Sequence, residues 1–114
     1  MDCVIEEREG VTIVAPRGDL DLEHTPDFQS QLDALLRSGS QFFVIDLAGV
    51  PFVDSTGLSS LVRLYKRVRI GEGDVRLAQV SPDVYKILDL TRLSRVFDIF
   101  PTVAEAATSM KPTD

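Results

Sequence analysis

Phe42-Phe43-Val44-Ile45 and, shortly after it, Val50-Pro51-Phe52-Val53-Asp54-Ser55-Thr56-Gly57-Leu58 decide how this chain is read. Phe42 to Leu47 is nearly continuous in apolar residues, the pattern of a central strand covered on both faces. From Leu58 the apolar positions adopt helical spacing: Leu58, Leu61, Val62, Tyr65 and Val68 share a face that ends near Gly71. Small hydroxyl residues and a glycine therefore stand where a buried strand hands over to a helix. The first N–H groups of a helix have no partners within it and carry partial positive charge. Such an end favours an anion, including a phosphate ester on a local hydroxyl. Ser55 is the hydroxyl placed for that role.

Working outward, Val4-Ile5 and Val11-Thr12-Ile13-Val14-Ala15 read as two short strands of a hairpin turning at Gly10. Pro16-Arg17-Gly18-Asp19 breaks that pattern. Thr25-Pro26 reads as a hydroxyl cap with proline at the first helical position. Phe28, Leu32, Leu35 and Leu36 follow on one face, and Gly39 closes the helix. Val75 to Val80 is a further strand. Ser81-Pro82 opens a third helix, with Val84, Ile87 and Leu88 facing inward. Val96 to Ile99 is a last strand, and Thr102-Val103-Ala104-Glu105 has capping-box spacing before an Ala-rich helix. The order is ββαβαβαβα, which implies an α/β fold with parallel crossover units. The chain reads as one domain over 1–114, with Lys111 to Asp114 as a frayed tail.

Composition narrows the function. The chain has 114 residues, 44% of them hydrophobic, and a net charge of -6 without a long basic run. That argues against a nucleic-acid or anionic-membrane binder, for which clustered Lys and Arg are needed. Cys3 is the only cysteine, so no internal disulfide framework or Cys-rich metal site is expected; its place beside Val4-Ile5 suits a small, partly buried apolar residue. No signal peptide and no membrane-spanning stretch is visible, which points to the cytoplasm.

Function in such sheets concentrates where strands end and loops lead into helices. Two loops stand out: Gly18-Asp19-Leu20-Asp21 and Asp54-Ser55-Thr56-Gly57. If their strands are parallel neighbours, both loops emerge on one edge and bring Asp21 toward Ser55. Simple helix capping is the plainer account of Asp54-Ser55. Gly57 adds room for a partner to approach, whereas Phe52 and Val53 read as core. Intrinsic catalysis is not expected. The one histidine, His24, sits beside the helix start as an exposed, incidental residue. No G-x-S-x-G elbow, phosphate loop or metal-ligand spacing is present, and no cofactor is implied. Arg63, Lys66, Arg67 and Arg69 form either a solvated helix face or an electrostatic rim for an acidic partner.

The chain resembles the STAS domain (sulfate transporter and anti-sigma factor antagonist), and specifically the stand-alone bacterial anti-sigma factor antagonists. The resemblance spans nearly the whole chain. It rests on Arg17-Gly18-Asp19-Leu20-Asp21 with Thr25, on Val44-Ile45-Asp46-Leu47 leading into Phe52-Val53-Asp54-Ser55-Thr56-Gly57-Leu58, and on Ser81-Pro82 and Leu90-Thr91-Arg92-Leu93. It implies a mixed sheet of about five strands packed against about four helices. It implies phosphorylation of Ser55 by a partner, an anti-sigma factor serine kinase with a histidine-kinase-like ATPase fold, and a phosphoserine phosphatase to reset it. Asp21 maps beside that site and Thr56 onto the neighbouring hydroxyl position. Gly18, Asp19, Asp21, Asp54, Ser55, Thr56, Gly57 and Leu58 are the expected partner-binding residues. The helix-end amides are expected to accommodate a phosphate on Ser55 without unfolding. The alternatives are a STAS scaffold subunit of a membrane lipid or anion transport complex, and a small-ligand sensor using the same loop.

Overall fold

A computed structural model describes residues 1–110 of the chain; the expected frayed tail at 111–114 lies outside the described residues. Strands β1 (Asp2–Arg8) and β2 (Val11–Arg17) form the predicted hairpin. Its two-residue turn needs positive φ at both positions, met by Glu9 (49°) and Gly10 (86°). Helix α1 (Thr25–Arg37) leads to β3 (Phe42–Asp46), α2 (Ser55–Ile70) to β4 (Asp74–Ala78), and α3 (Pro82–Leu90) to β5 (Asp98–Phe100). Helix α4 (Val103–Ser109) closes the order. The five strands lie in the order β1-β2-β3-β4-β5, with β1 antiparallel to β2 and all later pairs parallel. The fold is α/β with a mixed sheet, as expected.

Because crossovers share one hand and every step goes to the next strand, α1, α2 and α3 fall on the same face. Phe28 and Leu32 of α1, Leu61, Leu64 and Val68 of α2, and Val84 and Leu88 of α3 pack there on Val14, Phe43, Ile45, Val75 and Leu77. The opposite face carries Val11, Ile13, Val44 and Ala78 under Ala106, Ala107 and Met110. Alternate residues of β3 thus enter two cores, and the strand is covered on both sides as its composition requires.

Four local expectations are corrected. Pro16 and Arg17 continue β2 rather than break it, since β2 pairs with β1 through Arg17. The fourth strand stops at Ala78, where Gln79 turns to a φ of 55°. The last strand begins at Asp98, after a 3₁₀ turn at Leu93–Arg95; Phe97 instead turns into the core, its ring 5.6 Å from that of Tyr65 in an edge contact. Thr25 does not cap α1: His24 holds that position, and Thr25 lies inside the first turn with its hydroxyl buried and unpartnered. The other two hydroxyl caps behave as expected, Ser81 accepting from the Val84 N–H at 3.2 Å and Thr102 from the Glu105 N–H at 3.1 Å.

Candidate functional site

Strands β2 and β3 are parallel neighbours, so the loops that follow them leave the sheet at the same end. The loops then join each other. The Gly18 N–H donates to the Gly49 carbonyl at 2.9 Å, Leu20 N–H to the Phe52 carbonyl at 2.9 Å, and Asp54 N–H to the Leu20 carbonyl at 3.0 Å. Leu20 and Val53 form a parallel bridge, with both side chains buried. Gly18, with φ of 115°, is the residue that lets the chain turn out of β2 into this seam.

Asp54 locks the seam onto α2. One carboxylate oxygen accepts from the N–H groups of Thr56 at 2.8 Å and Gly57 at 3.0 Å, and the other accepts from Leu22 N–H at 3.0 Å in the opposite loop. The plain capping account therefore holds for Asp54, and the residue also ties the two loops together. Gly57 is buried, and an added Cβ would lie 2.3 Å from the Leu20 carbonyl oxygen and 2.8 Å from Leu20 Cβ. The close approach that this glycine permits here is between helix and loop. Leu58 is likewise a core residue at 9% exposure, so these two members of the expected binding set shape the surface from beneath.

Ser55 is exposed at the first position of α2, and its hydroxyl has no partner among the described residues. Thr56 beside it is half-buried. A phosphate on Ser55 would not find the empty helix end expected from sequence. Asp54 already occupies the Thr56 and Gly57 N–H groups, and Leu58 N–H donates to the Asp54 carbonyl at 2.9 Å. Of the first-turn amides, the Ser55 N–H alone is left without an acceptor among the described residues.

Asp21 organises the other loop. Its Oδ1 accepts from His24 N–H at 3.0 Å and meets the His24 ring Nδ1 at 2.8 Å. The His24 backbone N–H, with help from the ring and from the Glu23 N–H, holds the Asp21 carboxyl below its ordinary range. His24 is thus part of the loop's internal bonding rather than incidental. Asp19 is half-buried and Gly18 exposed on the same rim.

Phe52 corrects a further expectation. It is 48% exposed rather than core, because its carbonyl is used in the seam while the neighbouring Val53 fills the interior. Leu22, at 73% exposure, also lies on this end of the molecule. Sequence reasoning missed both. The available signal was their place in short loop segments without strand or helix period, where an apolar side chain has no assigned core face.

An exposed, unpartnered serine thus stands at a braced helix start, beside an ordered acidic loop at the end of a mixed α/β sheet. The match confirms the family expected from the motifs: residues 2–106 fit the model described as the STAS domain, and the chain belongs to the STAS family. An anti-sigma F factor antagonist of Paenibacillus polymyxa is 31% identical over 109 residues, covering 94% of this chain and 92% of that protein. A crystal structure of an anti-sigma factor antagonist from Mycobacterium paratuberculosis superposes with a TM-score of 0.89 at 26% identity, covering 97% and 94% of the two chains. A putative anti-sigma factor antagonist from Thermotoga maritima gives 0.91 at 25% identity, with 96% and 95% covered. These relatives are named as antagonists, not as catalysts.

Proposed function

We propose that this protein is an anti-sigma factor antagonist whose binding is switched at Ser55. The observation that carries the reading is the free, exposed Ser55 hydroxyl at a loop junction that Asp54 braces through the Thr56, Gly57 and Leu22 N–H groups. The similarity to antagonists over nearly the whole chain supports it.

In the unphosphorylated form, the surface made by Gly18, Asp19, Asp21, Asp54, Ser55 and Thr56, with Leu22 and Phe52 at its apolar margin, binds an anti-sigma factor serine kinase. The bound kinase releases its sigma factor. The kinase supplies ATP and Mg²⁺. Ser55 Oγ attacks the γ-phosphorus, the bond to the ADP oxygen breaks, and the hydroxyl proton leaves to a base on the kinase. The phosphate adds about −1.5 to −2 charges at pH 7. With the Thr56 and Gly57 N–H groups taken by Asp54, it stands next to that carboxylate and faces the partner, where desolvation and repulsion oppose binding. A loss of about 3 kcal/mol weakens affinity on the order of a hundredfold. A phosphoserine phosphatase restores the hydroxyl. The switch acts at the surface, and the fold stays intact.

The test is affinity capture from native lysate with wild type, Ser55→Ala and Ser55→Asp as baits, the captured proteins being identified by mass spectrometry. Capture of an ATP-binding kinase by wild type and Ser55→Ala, lost with Ser55→Asp, supports the switch. Capture of membrane-transport subunits with no dependence on residue 55 overturns it in favour of a scaffold. Among the described residues, no helix is long and apolar enough to cross a membrane.

A further inference from the structure

Beyond the Ser55 platform, the same helix borders a second surface. A groove of about 740 Å³ runs along α2 to the end of α3, with Ser55 at its start, Leu58, Val62 and Leu93 in its lining, and Ile70 at its far end. Ile70 is 84% exposed. Leu58 belongs to the core and Val62 and Leu93 pack against it, each leaving an edge in the groove, while Ile70 lies outside the core packing altogether.

The charge along the groove is opposite to that of the chain, which carries -6 overall. Arg63, Lys66 and Arg67 line it. The cations of α2 divide into two sets. Arg63 pairs with Asp33 of α1 at 2.8 Å, and Arg69 lies 3.8 Å from Asp74 with its guanidinium 5.8 Å from the Tyr65 ring centroid. Lys66 and Arg67 are exposed and have no carboxylate partner among the described residues. They are the ones that face the groove without a role in the fold.

We propose that this groove docks an acidic amphipathic helix of the protein partner. The proposal rests on the partner-switching reading above and extends the contact from Ser55 along the length of α2. Charge complementarity selects an acidic occupant, and the apolar lining selects one with a hydrophobic stripe. The 16 residues of α2 span about 24 Å, enough to lie beside about four turns of a second helix. A membrane surface fits less well: with Arg63 held by Asp33, only Lys66 and Arg67 among the described residues are free in the groove, short of the basic cluster that an anionic bilayer selects. The two parts of the contact would divide the work: the groove holds the partner, and Ser55 reports phosphorylation at one end of it.

The test uses a fluorescein-labelled helical peptide of about 18 residues, with Leu at i, i+4, i+7 and i+11 and Glu on the flanks. Its binding to the full chain is followed by anisotropy, and its footprint by amide chemical shifts. Saturable binding is expected, with shifts at Val62, Ile70 and Leu93. The double variant Lys66→Glu/Arg67→Glu should weaken it about tenfold or more. A peptide with Lys in place of Glu should not bind the wild type. Lys66→Gln/Arg67→Gln keeps the test valid if charge reversal harms folding, and should weaken binding in the same direction. Equal binding of peptide by wild type and both double variants, or no saturation up to about 1 mM, overturns the proposal. So does a concentration-dependent dimer of the protein alone that shifts the same groove residues, which would make a second copy the occupant. The assay contains no kinase and no phosphate, so its failure leaves the Ser55 capture experiment standing. Failure of the capture experiment with intact peptide binding would instead remove the switch and keep the groove.

Discussion

Thr25 and Ser55 make an instructive pair. Each is a hydroxyl residue in the first turn of a helix that follows a parallel strand, and each has an aspartate nearby that orders the entering loop. Yet Thr25 is 2% exposed with its hydroxyl sealed in and unpartnered, whereas Ser55 is exposed with its hydroxyl free. The difference comes from how the aspartate is used. Asp54 is extended backbone at the cap position, so its carboxylate folds back on the following N–H groups and the next residue faces outward. Asp21 bonds three residues ahead, to His24, which itself has helical φ and ψ and carries the chain into α1 a step later. A hydroxyl at a helix start is therefore open to solvent at one loop and enclosed in the packing at the other.

The bracing of the Ser55 loop can be broken most severely at Gly57. Gly57→Ala places a methyl against backbone and side-chain atoms of Leu20 that have little room to yield. The expected loss is about 3 kcal/mol, from overpacking at the point where α2 meets the seam. Urea unfolding measures it, and a loss below about 0.5 kcal/mol would show that the helix start can slide. Next in size is Asp54→Ala, which removes the acceptor of three N–H bonds and should cost about 2 kcal/mol. Asp54→Asn sharpens the point. Its single amide oxygen can still accept from Thr56 and Gly57, but its NH₂ cannot accept from Leu22, so only the link between the loops is lost. An intermediate stability for Asn, with faster amide exchange at Leu22, is the expected pattern.

The architecture was legible in the chain because each element carried its own signal: a hairpin turn at Gly10, a continuous apolar run in β3, and proline or hydroxyl starts for the helices. The pairing of the two candidate loops followed once β2 and β3 were parallel neighbours, which sequence could state only as a condition. The cap expected at Thr25, the core place expected of Phe52 and the tight contact at Gly57 share a reason for escaping the sequence. Whether a hydroxyl caps, an aromatic faces in, or a glycine admits a partner depends on what lies across from it. At Gly57 the opposing group comes from a loop with no periodicity: Leu20 presses on it from a segment that carries only a turn signature. Ser55 was readable because its exposure follows from the Asp54 cap, a local rule.

A smaller effect, of opposite sign, tests the buried half of the comparison. Thr25→Val replaces a hydroxyl that has no partner with a methyl of similar shape. Removing an unmatched polar group from a buried position should stabilise the fold by about 1 kcal/mol. Ser55→Ala, at the exposed counterpart, should stay within about 0.5 kcal/mol of wild type. Thermal and urea melts of both variants are sufficient. A destabilised Thr25→Val would show that the hydroxyl is satisfied, for instance by a bound water, and would erase the contrast between the two helix starts.

The smallest effect is the pH dependence of Asp21. Its carboxyl is held below the ordinary range chiefly by the His24 N–H. A carboxyl lowered in the folded chain contributes stability that is complete above its unfolded value of about 3.9, and that is lost as pH falls through the lower native value. Asp21→Asn retains an oxygen to accept from the His24 N–H but does not titrate, so it should flatten the acid side of the stability profile while leaving neutral behaviour nearly unchanged. Asp27 is also lowered, chiefly by its bond to the amino terminus, and adds a slope in the same window. The comparison is therefore made in an Asp27→Asn background. If the profiles with and without Asp21 then coincide between about pH 2 and 5, the His24 contact does not hold the loop in solution. The ordered acidic partner of the Ser55 platform would then reduce to Asp54 alone.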